Sequence, residues 1–81
     1  MTPSEIAQLM QEIVGLDEVD VDANFFEIGG NSFLALTLLT RIQERTGILL
    51  GLLDVIEAPT ATEVSARLAR HAVEAGGAGG Q

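Results

Sequence analysis

The chain has 81 residues, with twelve carboxylates against four arginines and no lysine, for a formal net charge of −8. So short a chain supports one domain, and so acidic a one repels nucleic acid and anionic membrane while suiting a basic partner surface. With no cysteine, no bilayer-length apolar run and no basic start of a signal peptide, it has no disulfide or thiolate chemistry and is expected in the cytoplasm.

Apolar residues make up 47% of the chain, enough to fold, yet aromatics amount to three Phe, so packed helices around an aliphatic core are expected. Thr2-Pro3-Ser4-Glu5 reads as a helix start, with Thr2 as cap, Pro3 at the first position and Glu5 completing a capping box. Ile6, Leu9, Met10 and Ile13 then recur at helical spacing until Gly15. Residues 16–31 have no steady period. Leu16, Val19, Val21, Phe25, Phe26 and Ile28 punctuate an acidic loop, and Phe25 and Phe26 are the expected anchors to the core.

A second helix is expected from Asn31 or Ser32, either of which can cap it, to Thr46 before Gly47. Residues 48–58 predict a turn and a brief helix over Leu52–Glu57. Thr60-Ala61-Thr62-Glu63 is a second capping box and opens a last helix with the stripe Ala61, Val64, Leu68 and Ala72. Residues 76–81, four of them Gly, predict an irregular tail, so the domain itself is assigned to residues 1–75.

On a helical wheel, Leu34, Ala35, Leu38, Leu39 and Ile42 of the second helix gather on one face, which is the core face. Phe33 falls opposite it and Leu36 outside it. Two readings are open: incidental exposure, or a docking surface for a partner. The run Leu49, Leu50, Leu52, Leu53 carries more leucine than one short segment can bury and adds weight to docking.

The segment Gly29-Gly30-Asn31-Ser32-Phe33-Leu34 poses the chemical question. It is no nucleophile elbow, because Leu34 stands where G-x-S-x-G needs its second glycine, and His71 on the last helix is the one available base. It lacks the Lys-Ser/Thr of a phosphate-binding loop. The nearby acids do not form a calcium loop either: counted from Asp20, Phe25 occupies the glycine position and Asn31 that of the bidentate Glu. Ser32 is left with two roles. It can simply cap the helix, or it can be a modification site, since backbone N–H groups and the positive end of the helix dipole would stabilise a phosphodiester there.

Beyond these local patterns, the stretch NFFEIGGNSFLALTLLTRIQERTGILLGLLDVIEAPTATEV (residues 24–64) resembles the peptidyl carrier, or thiolation, domains of nonribosomal peptide synthetases, relatives of acyl carrier proteins. The resemblance rests on a paired-Phe segment, G-G-x-S, a Leu-rich helix with a central Arg, and a closing E-x-P-T. It implies an all-α, four-helix bundle with one short helix. Ser32 would receive 4′-phosphopantetheine from coenzyme A through a phosphopantetheinyl transferase, in surroundings set by Gly29, Gly30 and Asn31. The thiol of that arm would carry an aminoacyl or acyl thioester in the biosynthesis of natural products, antibiotics included. An adenylation enzyme would load it, and condensation or tailoring enzymes would act on the cargo. The domain would be a monomeric carrier without catalytic residues of its own, and Phe33, Leu36 and Leu53 would meet partners. Asn31 stands where the family often has His or Asp, and Phe33 where Leu is usual. Two alternatives accompany this expectation: an acyl or aryl carrier of a polyketide-type pathway, and a non-carrier adaptor docking through Phe33 and Leu36.

Overall fold

The computed structural model describes residues 1–79, with side chains described as far as Val73. Four helices follow in order: α1 (Pro3–Val14), α2 (Ser32–Thr46), α3 (Leu52–Glu57) and α4 (Ala61–Gly79). Helix α1 packs against α2 and α4, while α3 touches α2 and α4. The result is the expected all-α bundle of three longer helices and one short one.

The helix ends form for the reasons legible in the sequence. The Thr2 hydroxyl accepts the N–H of Glu5 at 3.2 Å, and the Glu5 carboxylate accepts the N–H of Thr2 at 2.9 Å, which completes the capping box. Gly15 and Gly47 close α1 and α2 in the left-handed region, at φ 76° and 75°, where a side chain would be strained. At α4 the second box is altered: the Thr60 hydroxyl accepts the N–H of Glu63 at 3.1 Å and donates to its carboxylate at 2.9 Å.

The core is a single cluster of Ile6, Ala7, Leu9, Met10, Phe25, Ala35, Leu38, Leu39, Ile42, Leu50, Val55, Ala61, Val64 and Leu68. The wheel of α2 is thus reproduced, with Leu34 half-buried at its edge. Phe25 is the largest side chain in this aliphatic interior, and Phe26 meets its ring edge-on at a centroid distance of 5.6 Å. Val19 and Val21 also pack against the core, but Leu16 does not and is exposed.

Two details of α4 differ from the sequence expectation. Ala72 lies on the same face as Ala61 and Leu68, yet it is exposed, so the bundle ends before the helix does. The helix also continues through residues 76–79, where the glycines predict a tail, because extending an existing helix needs no new nucleus. Gly80 and Gln81 lie outside the described residues.

Two backbone hydrogen bonds tie the long acidic loop to the start of α4. The Phe25 N–H donates to the Pro59 carbonyl at 2.8 Å, and the Thr62 N–H to the Val21 carbonyl at 3.0 Å. The Asn24 side chain caps the following turn by accepting the Phe26 N–H at 2.9 Å. This bracing fixes the approach to residue 32.

Candidate functional site

The structure brings Gly29, Gly30, Asn31 and Ser32 together where the braced loop enters α2, and gives each a separate task. Gly29 takes φ 116°, a backbone conformation that side chains rarely adopt. Gly30 is needed for space instead. A Cβ there would lie 2.5 Å from two ring carbons of Phe25 and from its carbonyl oxygen, which accepts the Gly30 N–H at 2.9 Å. The core aromatic therefore dictates a glycine two residues before Ser32, and no sequence pattern announced that dependence.

Asn31 settles which residue caps α2. Its backbone is extended, and its Oδ1 accepts the N–H of Leu34 at 2.9 Å. Ser32 is the first helical residue; it is exposed, and its hydroxyl bonds to none of the described residues. The N–H groups of Ser32 and Phe33 likewise meet no acceptor among the described residues. An exposed primary alcohol thus stands beside two free donors at the positive end of a 15-residue helix, with no acidic residue in its first turn. This corner suits a hydroxyl that is to carry a phosphodiester, whose oxygens could use those donors and whose charge the dipole favours.

Exposed apolar side chains follow the serine on α2 and recur at α3. Phe33 is 76% exposed, Leu36 52% and Leu53 68%, with Leu49 and Ile56 also exposed. By contrast Leu50 is buried and Leu52 half-buried, so the leucine run divides between core and surface. His71 is half-buried on α4. Among the described residues no group of three or more His, Asp or Glu is placed to hold a metal, and no helix is long and apolar enough to cross a membrane. Asp20, weighed above as a cation ligand, accepts the N–H of Asp22 at 2.8 Å in a tight turn.

One feature of this surface was not legible in the sequence. Arg67 of α4 donates to Asp54 at 2.9 Å and to Glu57 at 3.2 Å, joining α4 to the middle and the C-terminal end of α3. Thirteen and ten residues separate these partners, and no local pattern links them.

Comparison with known proteins agrees with this geometry. Residues 4–68 match the family model described as phosphopantetheine attachment site. The chain is 41% identical over 69 residues to the dimodular nonribosomal peptide synthase of Bacillus subtilis (strain 168), covering 83% of this chain but 3% of that protein. Its fold matches that of a peptidyl carrier protein solved in complex with the phosphopantetheine transferase Sfp and coenzyme A. There the TM-score is 0.82 at 21% identity, over 86% of this chain and 91% of that one. A nonribosomal PCP domain aligns with a TM-score of 0.72 at 29% identity, over 80% of this chain and 83% of that one. The chain therefore belongs to the phosphopantetheine attachment-site family, as a non-catalytic carrier domain of the kind found in nonribosomal peptide synthetases.

Proposed function

We propose that the Ser32 hydroxyl is the attachment point and that residues 1–75 form the carrier unit. The observation that carries this is the division of labour at the start of α2: Asn31 makes the capping bond, which leaves the Ser32 oxygen exposed and uncommitted. In the transfer, that oxygen bonds to the phosphorus nearer the pantetheine of coenzyme A. The phosphoanhydride bond breaks, the adenosine bisphosphate leaves, and the serine proton passes to a base of the transferase. Once bound, the group supplies a thiol that holds acyl cargo as a thioester. The N–H groups of Ser32 and Phe33 would be available to its phosphodiester, and the helix dipole would favour the negative charge there.

The cargo we infer is an aminoacyl group, as expected of a carrier resembling synthetase modules, loaded by an adenylation enzyme and passed to condensation or tailoring enzymes in the cytoplasm. Phe33, Leu36 and Leu53 form the surface on which the phosphopantetheinyl transferase docks, and the same surface serves later partners. Exposed apolar side chains flanking the reacting serine support this, since a partner that reaches Ser32 must cover them. The domain acts as a monomer, and the adaptor alternative is left without support by the family match.

The decisive experiment is incubation with coenzyme A and a broad-specificity transferase, followed by mass spectrometry of the intact protein. Wild type should gain one phosphopantetheine, and Ser32→Ala should gain none while keeping its circular dichroism spectrum. Adduct formation on Ser32→Ala would show that another residue is the attachment point.

A further inference from the structure

We propose that Arg67 is a positioning residue for partner docking: by holding both acidic residues of α3 it fixes the direction in which Leu53 and Ile56 face. The inference rests on the docking surface proposed above and adds a residue that lies outside it, on a different helix.

Helix α3 has little else to hold it. It is six residues long, and Val55 is its one buried side chain. Its N-cap residue, Gly51, offers no side-chain cap. An isolated helix of this length has no stability of its own, so its attitude depends on tertiary ties. Those ties are the apolar contacts of buried Val55 and half-buried Leu52, and the pair of ionic hydrogen bonds from one nitrogen of Arg67, to Asp54 at 2.9 Å and Glu57 at 3.2 Å.

The two acidic side chains sit one turn apart on α3, at its third and its last residue. Of the neighbouring side chains, Val55 points inward while Leu53 and Ile56 are exposed. Apolar contacts through Val55 and Leu52 hold one face of the helix, and a polar tie spanning its last turn limits how far it can rock about them. Asp54 is further restrained, because its other oxygen accepts the Gly51 N–H at 2.8 Å. Arg67 itself is only partly exposed, with 28% of its side-chain surface accessible, which favours a persistent geometry over a transient surface pair.

The test compares transferase kinetics on Arg67→Gln, Arg67→Lys, Glu57→Gln and Leu53→Ala with wild type, alongside amide hydrogen exchange. Loss of an ion pair at the upper end of the usual surface range changes a local population about fivefold. Arg67→Gln should therefore raise KM for the carrier about fivefold with kcat unchanged, and speed exchange at Asp54 and Ala58 while α2 amides keep their protection. Arg67→Lys should restore part of both, and Glu57→Gln, which removes one exposed arm without touching the bundle, should give a smaller effect in the same direction. Unchanged KM and exchange in Arg67→Gln, with Leu53→Ala still impaired, would overturn the positioning role and leave the docking surface standing. An unimpaired Leu53→Ala would overturn the docking surface, and the inference would fall with it.

Discussion

The Phe25 ring occupies the space that a side chain at position 30 would fill, so the largest buried residue of the core and the glycine nearest the site specify each other. Gly30→Ala forces the loop backbone to move as well as the ring, because the Phe25 carbonyl oxygen stands equally close. Overpacking of this kind costs about 1–3 kcal/mol. Urea denaturation should show that loss, and a variant as stable as wild type would mean that both the ring and the loop backbone can shift freely.

Asn31 and Ser32 are adjacent but should respond differently to substitution. Asn31→Ala removes the bond to Leu34 and should cost about 0.5–2 kcal/mol, whereas Asn31→Ser, which keeps a capping oxygen, should recover most of it. Ser32→Ala should change stability by less than about 0.5 kcal/mol, since its hydroxyl holds nothing. Thermal unfolding of the three variants checks the contrast. A Ser32→Ala loss as large as that of Asn31→Ala would assign the cap to the wrong residue.

Phe33 and Leu38 share a helix and face opposite ways, one 76% exposed and the other fully buried. Leu38→Ala should cost about 2–5 kcal/mol through the cavity it leaves. Phe33→Ala should leave stability within about 0.5 kcal/mol of wild type and instead weaken turnover by partner enzymes. Parallel denaturation and transferase kinetics separate the two, and a Phe33→Ala protein that unfolds would reverse the face assignment.

Acid should destabilise the domain through two carboxylates. The Gly51 N–H, with Arg67 adding to it, holds Asp54 below its ordinary value of 3.8, and the Thr2 backbone N–H and hydroxyl hold Glu5 below 4.5. A group depressed in the folded state adds stability above its unfolded pKa and loses it as pH falls through the folded one. Stability should therefore hold at neutral pH and decline below about pH 4. Denaturation midpoints measured across that range check this, and Asp54→Asn should flatten part of the decline; an identical pH profile in that variant would remove Asp54 as a contributor.

The helices were legible because their signals are local. Thr2, Gly15, Gly47 and Thr60 mark ends by rules that span a few residues, and the inward stripe of α2 follows from spacing alone. The site was legible in part: glycines, Asn31 and Ser32 could be found, but whether Asn31 or Ser32 capped the helix depended on a side-chain bond to Leu34 that either could have made. What could not be read was long-range. The ties from Phe25 to Pro59 and from Val21 to Thr62, and the Arg67 clamp, join residues that only the folded bundle brings together. Ala72 shows the converse limit, since periodicity gives a residue its side of the helix but not how far the neighbouring helices extend.

Because the bond that starts α2 belongs to Asn31, a bulky adduct on the next residue displaces no structural hydrogen bond. With attachment at Ser32 as proposed, the scaffold could be charged, emptied and charged again without refolding. Unloaded and loaded forms would then share one backbone and differ mainly in the tether, so an enzyme downstream must sense the cargo itself and not a change of shape in its bearer.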